Sequence, residues 1–188
     1  MITDLQQHLF TDLQEHIYNS IYQLGEYGNF LLIPIAVIAL YFANALHYLG
    51  IFFIGTIINI ILNFLLKGII RQPRPRDNVY IHSVREKYQP IKEFGKFGMP
   101  SGHTQGAFFT LVFLYLVTKN NTLLAVNSII TIVVIWQRVH GQFHTIPQIL
   151  AGAVVGSLTA YLFYSYGEKT LKGNQHEKKD DNYFGLGN

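Results

Sequence analysis

The side chains best suited to chemistry in this sequence are basic groups and imidazoles that fall into three clusters. The clusters are Lys67 with Arg74-Pro75, the run Pro100-Ser101-Gly102-His103, and Arg138 with His144. Arginine presents a planar fork that matches phosphate oxygens, whereas lysine acts as a point charge. Three fixed cations beside a hydroxyl group can stabilise the charge of a phosphoryl group during its transfer. The clusters therefore predict a site for phosphoryl chemistry.

The two histidines supply the remaining groups that such a reaction needs. One imidazole can attack phosphorus, and a second can donate a proton to the leaving oxygen. An apolar helix is predicted to start at Thr104, and a helix start offers free N–H groups and a positive dipole end to an anion. Gly102 lacks a Cβ, so its backbone can approach a ligand closely. The alternative for Ser101 is an ordinary helix cap.

Composition indicates where these clusters are held. The chain has 188 residues and no cysteine; 49% of its residues are hydrophobic and only 13% are charged. Soluble domains contain about 25% charged residues. We therefore predict an all-α, polytopic membrane helix bundle. The absence of cysteine excludes disulfides and thiolate chemistry. The basic residues gather in loops and one tail, which predicts no nucleic-acid partner.

Hydrophobic patterning divides the chain into three regions: an amphipathic helix over 1–24, a membrane domain over 25–166 and a disordered tail over 167–188. A membrane span needs about 20 apolar residues. Five transmembrane helices are predicted, joined by a tight turn near His47–Gly50 and by a long polar loop over 71–97. The five predicted helices cover residues 29–49, 50–66, 104–118, 122–138 and 146–166.

Two helical faces are predicted to point into the bundle. Asn59, Asn63 and Lys67 recur every four residues, and intramembrane polar groups normally face other helices. For the two asparagines we favour hydrogen bonding between helices, and for Lys67 a functional role. On the fifth helix, Gly152 and Gly156 belong to a small-residue face suited to close packing.

Counting crossings predicts that all three clusters meet on one side of the membrane. The loop from Arg71 to His103 follows an even number of spans, and two further spans lead to Arg138–Thr145. The tail lies on the other side and carries four lysines, which favour the cytoplasm. We therefore predict a cytoplasmic C-terminus and an extracytoplasmic or lumenal site. The lysines are Lys169, Lys172, Lys178 and Lys179.

The three clusters resemble the signature of the type 2 phosphatidic acid phosphatase and vanadium haloperoxidase superfamily. Its first motif, Lys-x6-Arg-Pro, is met by Lys67 and Arg74-Pro75, and its second, Pro-Ser-Gly-His, by residues 100–103. Its third motif, Ser-Arg-x5-His-x3-Asp, is met by Arg138 and His144. Two positions depart from that motif, because Gln137 replaces the serine and Gln148 replaces the aspartate.

The resemblance implies a metal-independent phosphatase that needs no cofactor and acts on a lipid phosphate or diphosphate. His144 would form a phosphohistidine, and His103 would protonate the leaving oxygen. The phosphate oxygens would be held by Lys67, Arg74, Ser101, Gly102 and Arg138. The implied substrate is a phospholipid or polyprenyl phosphate that arrives laterally between helices.

Gln148 leaves alternatives open. An aspartate there would orient His144 and stabilise its charged form, whereas Gln148 can only accept a hydrogen bond through its amide oxygen. A catalytically weak lipid-binding or scaffolding relative is therefore an alternative function. A lipid phosphotransferase, in which an alcohol replaces water at the phosphohistidine, is a second alternative. We also expect that Gln148→Asp raises turnover, unless Glu86 or Glu93 from the long loop supplies the missing acid.

Overall fold

Five α-helices and one short 3₁₀ turn form the protein in a computed structural model that describes residues 2–75 and 96–181. Within these residues the only β-type pairing is an isolated bridge between Pro73 and Phe97. This confirms the predicted all-α class. The helices are α1 (Ile2–Phe42), α2 (Leu49–Ile70), α3 (Gly102–Thr118), α4 (Asn121–His140) and α5 (Ile146–Asp181), and the 3₁₀ turn is Leu46–Tyr48.

Within the part of the chain that the structure describes, four helical segments are long and apolar enough to cross a membrane: Phe10–Phe42, Leu46–Ile70, Asn121–His140 and Ile146–Leu171. Many of their large apolar side chains are exposed, as expected for surfaces that face lipid. The helix predicted as the third span, α3, has 17 residues and packs against all four other helices. The protein is therefore a polytopic helical membrane bundle with α3 at its centre.

The N-terminal segment is not a separate amphipathic helix. α1 continues without a break from Ile2 to Phe42, so it includes both the predicted helix over 1–24 and the first predicted span. Glycine within a helix costs about 1 kcal/mol relative to alanine, and Gly25 and Gly28 do not end α1. Both glycines are buried, and both face residues of α4.

Two other predicted boundaries differ from the structure. α1 ends at Phe42, before the predicted turn near His47–Gly50, and Asn44 adopts a positive φ of 52° that asparagine tolerates well. α5 continues to Asp181, beyond the predicted end of the last span at residue 166. Glu168 explains the first part of the extension, because it accepts a hydrogen bond from Tyr48 of the neighbouring turn.

The small-residue face predicted for the fifth helix packs closely against α3. A Cβ on Gly152 would lie 2.6 Å from the carbonyl oxygen of Ser101, and one on Gly156 would lie 2.1 Å from that of Gln105. Real Cβ atoms essentially never come so close, so larger residues would displace α3. This packing fixes the start of α3, where Ser101 and His103 are held.

The helices alternate in direction, which brings α2 and α4 to an end where α3 and α5 begin. At the opposite end, Tyr48 donates to Glu168, and Lys119 lies 5.6 Å from the ring of Tyr164. The N-terminal half of α1 extends on the same side as the three clusters, because Glu26 contacts Arg138.

The predicted orientation can be tested by protease protection. We expect a tag fused after Asn188 to be protected from external protease in intact cells, since the lysines that follow the last span favour the cytoplasm. A tag fused before Met1 should be cleaved, because it would share the side of the site. Cleavage of the C-terminal tag with protection of the N-terminal tag would reverse the orientation.

Candidate active site

All three sequence clusters meet at one end of the bundle. Lys67 lies in the last turn of α2, and Arg138 lies in the last turn of α4. Ser101 immediately precedes α3, and His144 lies in the short loop between α4 and α5. Their side chains are buried, and so is Gln148. The fold therefore assembles the predicted groups in one place.

Gln148 fixes the orientation of the His144 ring. Its Oε1 lies 3.2 Å from Nδ1 of His144, and the same oxygen accepts the backbone N–H of Thr145 at 3.2 Å. Its Nε2 donates to the carbonyl oxygen of Pro73 at 2.9 Å. A backbone N–H can only donate and a carbonyl can only accept, so these two contacts assign the amide oxygen and nitrogen.

The tautomer of His144 follows from this assignment. Because Gln148 presents an acceptor, Nδ1 carries the proton and Nε2 carries a lone pair. On the other side of the ring, Nη1 of Arg74 lies 3.3 Å from Nε2. Arginine can only donate, so this contact also requires an unprotonated Nε2. His144 thus presents a nucleophilic nitrogen toward a cation.

The charge around His144 favours its neutral form. Burial, followed by the positive charges of Arg74 and Lys67, lowers the pKa of His144 from 6.5 to about 2. The ring is therefore neutral at physiological pH, as a nitrogen nucleophile must be. Arg138 also interacts electrostatically with His144. Lys67, Arg74 and Arg138 all interact in the same way with His103, so the three cations lie near both imidazoles.

The backbone of residues 98–101, just before α3, is hydrogen-bonded to segments that carry the other two clusters. The N–H of Ser101 donates to the carbonyl of Gln148 at 3.0 Å, and the N–H of Gly98 donates to that of Gln72 at 2.7 Å. A Cβ on Gly98 would lie 2.4 Å from Oε1 of Gln148. Ser101 occupies the N-cap position without a side-chain capping bond, and its hydroxyl lies 3.1 Å from that of Thr104. The simple capping alternative for Ser101 is therefore wrong.

The two asparagines of α2 support this segment, as predicted for hydrogen bonding between helices. Asn63 donates to the carbonyl of Pro100 at 3.2 Å and to Oε1 of Gln105 at 2.8 Å. Gln105 in turn donates to Oδ1 of Asn59 at 2.9 Å. Gly102 lies against Asn63, since an added Cβ would be 3.1 Å from its Oδ1. The amides anchor the start of α3 to α2.

His103 lies at the edge of a largely apolar cavity of about 280 Å³ between α1, α2 and α3. Its ring contacts Phe30 edge to face, with centroids 6.2 Å apart, and bonds to the backbone carbonyl of Glu26. The cavity walls include Ile33, Ile60, Phe64 and Phe109. An apolar chain attached to a group beside His103 would fit this cavity.

Glu26 and Gln72 contact the site, but no sequence pattern predicted them. The carboxylate of Glu26 accepts hydrogen bonds from Arg138 and Gln137. Its signal in the sequence is an acidic residue in an otherwise apolar stretch, which within a membrane usually has a partner. Glu86 and Glu93, the acids proposed as substitutes for an aspartate, lie outside the described residues.

No cluster of three or more potential metal ligands occurs in residues 2–75 and 96–181. The grouped polar side chains are three cations, amides, two imidazoles, the hydroxyl of Ser101 and one carboxylate, that of Glu26, which pairs with Arg138. Such a set suits an anion such as phosphate, which lysine, arginine and helix N–H groups bind directly.

Comparison with known proteins gives the same family as the motifs. The PAP2 superfamily model matches residues 44–172. The yeast Saccharomyces cerevisiae dolichyldiphosphatase is 29% identical over 150 residues, covering 72% of this chain and 60% of the yeast protein. Dolichyldiphosphatase 1 of the bat Rhinolophus ferrumequinum is 30% identical over 147 residues, covering 69% and 57%.

A plant protein, the chloroplastic lipid phosphate phosphatase epsilon 1 of Arabidopsis thaliana, is 32% identical over 127 residues, covering 63% of this chain and 40% of the plant protein. The chain thus spans less than two thirds of the length of these relatives. No solved structure matches. The superfamily match includes every residue of the three clusters and most of the helical bundle. The chain belongs to the PAP2 superfamily.

Proposed function

We propose that this protein is an integral membrane phosphatase that hydrolyses a lipid phosphate or diphosphate through a phosphohistidine. The observation that carries the proposal is the environment of His144. Its Nε2 holds a lone pair, lies next to Arg74 and belongs to a ring fixed by Gln148. A neutral, oriented imidazole among fixed cations is the arrangement that attack on a phosphoryl group requires.

In the first step, Nε2 of His144 attacks phosphorus, and the bond between phosphorus and the leaving oxygen breaks. His103 can be protonated once the anionic phosphate is bound among the cations, because a nearby negative charge favours the charged ring. His103 gives its proton to that oxygen, which leaves as an alcohol or, from a diphosphate, as a lipid monophosphate. Lys67, Arg74 and Arg138 bind the equatorial oxygens, together with Ser101 and the N–H of Gly102. These groups stabilise the charge of the transferring group without moving far.

In the second step, water attacks the phosphohistidine, and the bond between nitrogen and phosphorus breaks. His103 now accepts a proton from that water, so each group returns to its starting state when orthophosphate leaves. Gln148 keeps the proton of Nδ1 in place throughout. Its amide oxygen continues to accept this hydrogen bond when Nε2 is phosphorylated and the ring becomes positively charged.

The cavity beside His103 supports a lipid as the substrate. His103 donates to the leaving oxygen, so the lipid part must begin where His103 lies, at the edge of the apolar cavity. The relatives named above are called dolichyldiphosphatases and lipid phosphate phosphatases, which supports the same substrate class. Phosphatidic acid, phosphatidylglycerophosphate and polyprenyl diphosphates all have the required features.

A phosphate-release screen across these three lipid classes tests the proposal. We expect release from at least one class by the purified protein in detergent. Adding a primary alcohol should leave orthophosphate as the main product. If the alcohol instead becomes phosphorylated at a matching rate, the protein is a phosphotransferase. If no lipid is dephosphorylated while vesicles containing it are still bound, the protein is a lipid-binding relative.

Activity should not depend on a divalent metal. We expect turnover in millimolar EDTA to stay within about twofold of turnover without EDTA, because fixed cations take the place of a metal in binding phosphate. A magnesium-dependent phosphatase assayed in parallel provides the positive control for chelation. Loss of activity in EDTA, with recovery on adding Mg²⁺, would contradict the mechanism.

A further inference from the structure

We propose that Glu26 of α1 is a positioning residue for the phosphate site, although it lies outside all three clusters. The inference rests on the proposed function, because it gives Glu26 the task of orienting Arg138 toward phosphate. Glu26 lies in α1, just after the segment over 1–24 that is predicted as an amphipathic helix.

Contacts on three sides fix the guanidinium of Arg138. Nη2 donates to the carboxylate of Glu26, and Nε donates to Oε1 of Gln137 at 2.5 Å. The ring of Phe143 covers one face, with its centroid 4.7 Å from Cζ. Nη1 makes no hydrogen bond within residues 2–75 and 96–181, so it is the nitrogen left to meet a ligand. An arginine held in this way presents one defined edge to a phosphate oxygen.

Gln137 depends on the same carboxylate. Its Nε2 donates to Oε2 of Glu26 at 2.8 Å, the same oxygen that accepts from Arg138. One carboxylate oxygen therefore holds Arg138 directly and also through Gln137. This gives Gln137 a task at a position where the superfamily motif has serine, and it explains why a longer amide suits that position.

The packing of α1 against α4 places Glu26 at this point. A Cβ on Gly25 would lie 2.3 Å from Cβ of Gln137, and one on Gly28 would lie 2.8 Å from Cγ2 of Val134. The two glycines therefore let α1 approach α4 closely enough for Glu26 to meet Arg138. The side chain of Glu26 is 27% exposed and that of Arg138 is 5% exposed, so the pair is shielded from most solvent.

A different role for the carboxylate would be simple neutralisation of the three cations. The two roles predict opposite effects on phosphate affinity. If Glu26 only neutralises charge, its removal leaves a more positive site that binds phosphate more tightly. If Glu26 positions Arg138, its removal frees the guanidinium and weakens phosphate binding, because a mobile arginine must be ordered again on binding.

The test is calorimetric titration of the full-length protein in detergent with orthophosphate, a readout that does not require turnover. We expect Glu26→Leu to weaken binding about 10-fold, as for loss of a hydrogen bond to a charged group. Glu26→Gln should stay within about threefold of the wild type, because its amide oxygen can accept from both donors. The matched control is Glu15→Gln, an exposed position on the same helix.

Unchanged or tighter binding in folded Glu26→Leu would overturn the inference, and so would a wild type that binds no orthophosphate. If Glu26→Leu does not fold, Gln137→Leu removes the other anchor of Arg138, and unchanged affinity there would overturn it equally. A wild type that binds phosphate yet hydrolyses no lipid would instead count against the proposed function alone.

A double-mutant cycle separates positioning from helix packing. In an Arg138→Ala background, Glu26→Leu should change orthophosphate affinity by less than about twofold, because the group that it positions is gone. Equal losses with and without Arg138 would mean that Glu26 acts through the packing of α1, and would overturn the inference.

Discussion

Replacing His144 by alanine is expected to lower phosphate release by at least about 10³-fold, the scale on which loss of a nucleophile or its base acts in hydrolases. The remaining cations would still bind phosphate, so the loss should fall on kcat with little change in KM. Steady-state release of orthophosphate from the best lipid substrate in detergent measures this effect.

His140→Ala is the matched control for that substitution. His140 lies four residues earlier, at the end of α4, where its ring stacks on Trp136 and its Nε2 lies 2.9 Å from the hydroxyl of Tyr18. It is exposed, and its ring contacts Tyr18 and Trp136 and not the cations of the site. Activity within about twofold of the wild type is expected there. Equal losses in both variants would indicate a folding defect.

The second large effect is expected at Gln148, where leucine should lower kcat by about 100-fold. In a serine-protease triad, removing the group that fixes the histidine tautomer costs about 10⁴ in turnover. The effect here should be smaller, because Arg74 also contacts the ring. The loss should appear at every pH, because it comes from the tautomer and orientation of a ring that is already neutral.

The Gln148→Asp substitution provides a sharper comparison. The sequence leads us to expect that it raises turnover, whereas the contacts of Gln148 in the structure lead us to expect a fall. Gln148 donates through Nε2 to the carbonyl of Pro73 and to Oε1 of Gln72. A carboxylate has no hydrogen to donate and would repel both oxygens. We therefore expect Gln148→Asp to lower turnover about 10-fold, as for a buried acceptor left unpaired. A rise in turnover would mean that a carboxylate stabilises the charged ring of His144 by more than the loss of these two hydrogen bonds costs.

Much of the site could be predicted from sequence because its residues lie at helix ends. Lys67, His103 and Arg138 each adjoin an apolar segment, so counting spans was enough to place them together. α3 is not among the four segments found long and apolar enough to cross a membrane, yet its direction alternates with those of α2 and α4, so the clusters still meet at one end. The stripe of Asn59 and Asn63 was also predictable, because their spacing of four defines one helical face.

Glu26 and Gln72 could not be predicted in the same way. The contact of Glu26 with Arg138 depends on which face of α1 meets α4, and that is decided by the space at Gly25 and Gly28. Gln72 lies after the end of α2, where a left-handed residue, Arg71, redirects the chain. Periodicity carries no information about either arrangement. The unbroken α1 was missed for a related reason, since a change from an amphipathic to an apolar pattern does not show whether the helix continues.

The central claim is that His144 becomes phosphorylated, and rapid alkaline quenching followed by peptide mass spectrometry tests it most directly. Phosphohistidine survives alkali, so a phosphorylated peptide, called the labelled peptide below, should be recovered from wild-type protein that has been mixed briefly with its best lipid substrate. Fragmentation is expected to place the phosphate on His144, and the His144→Asn variant should give no labelled peptide. Phosphate on His103 or His140, or a labelled peptide from His144→Asn, would contradict the account.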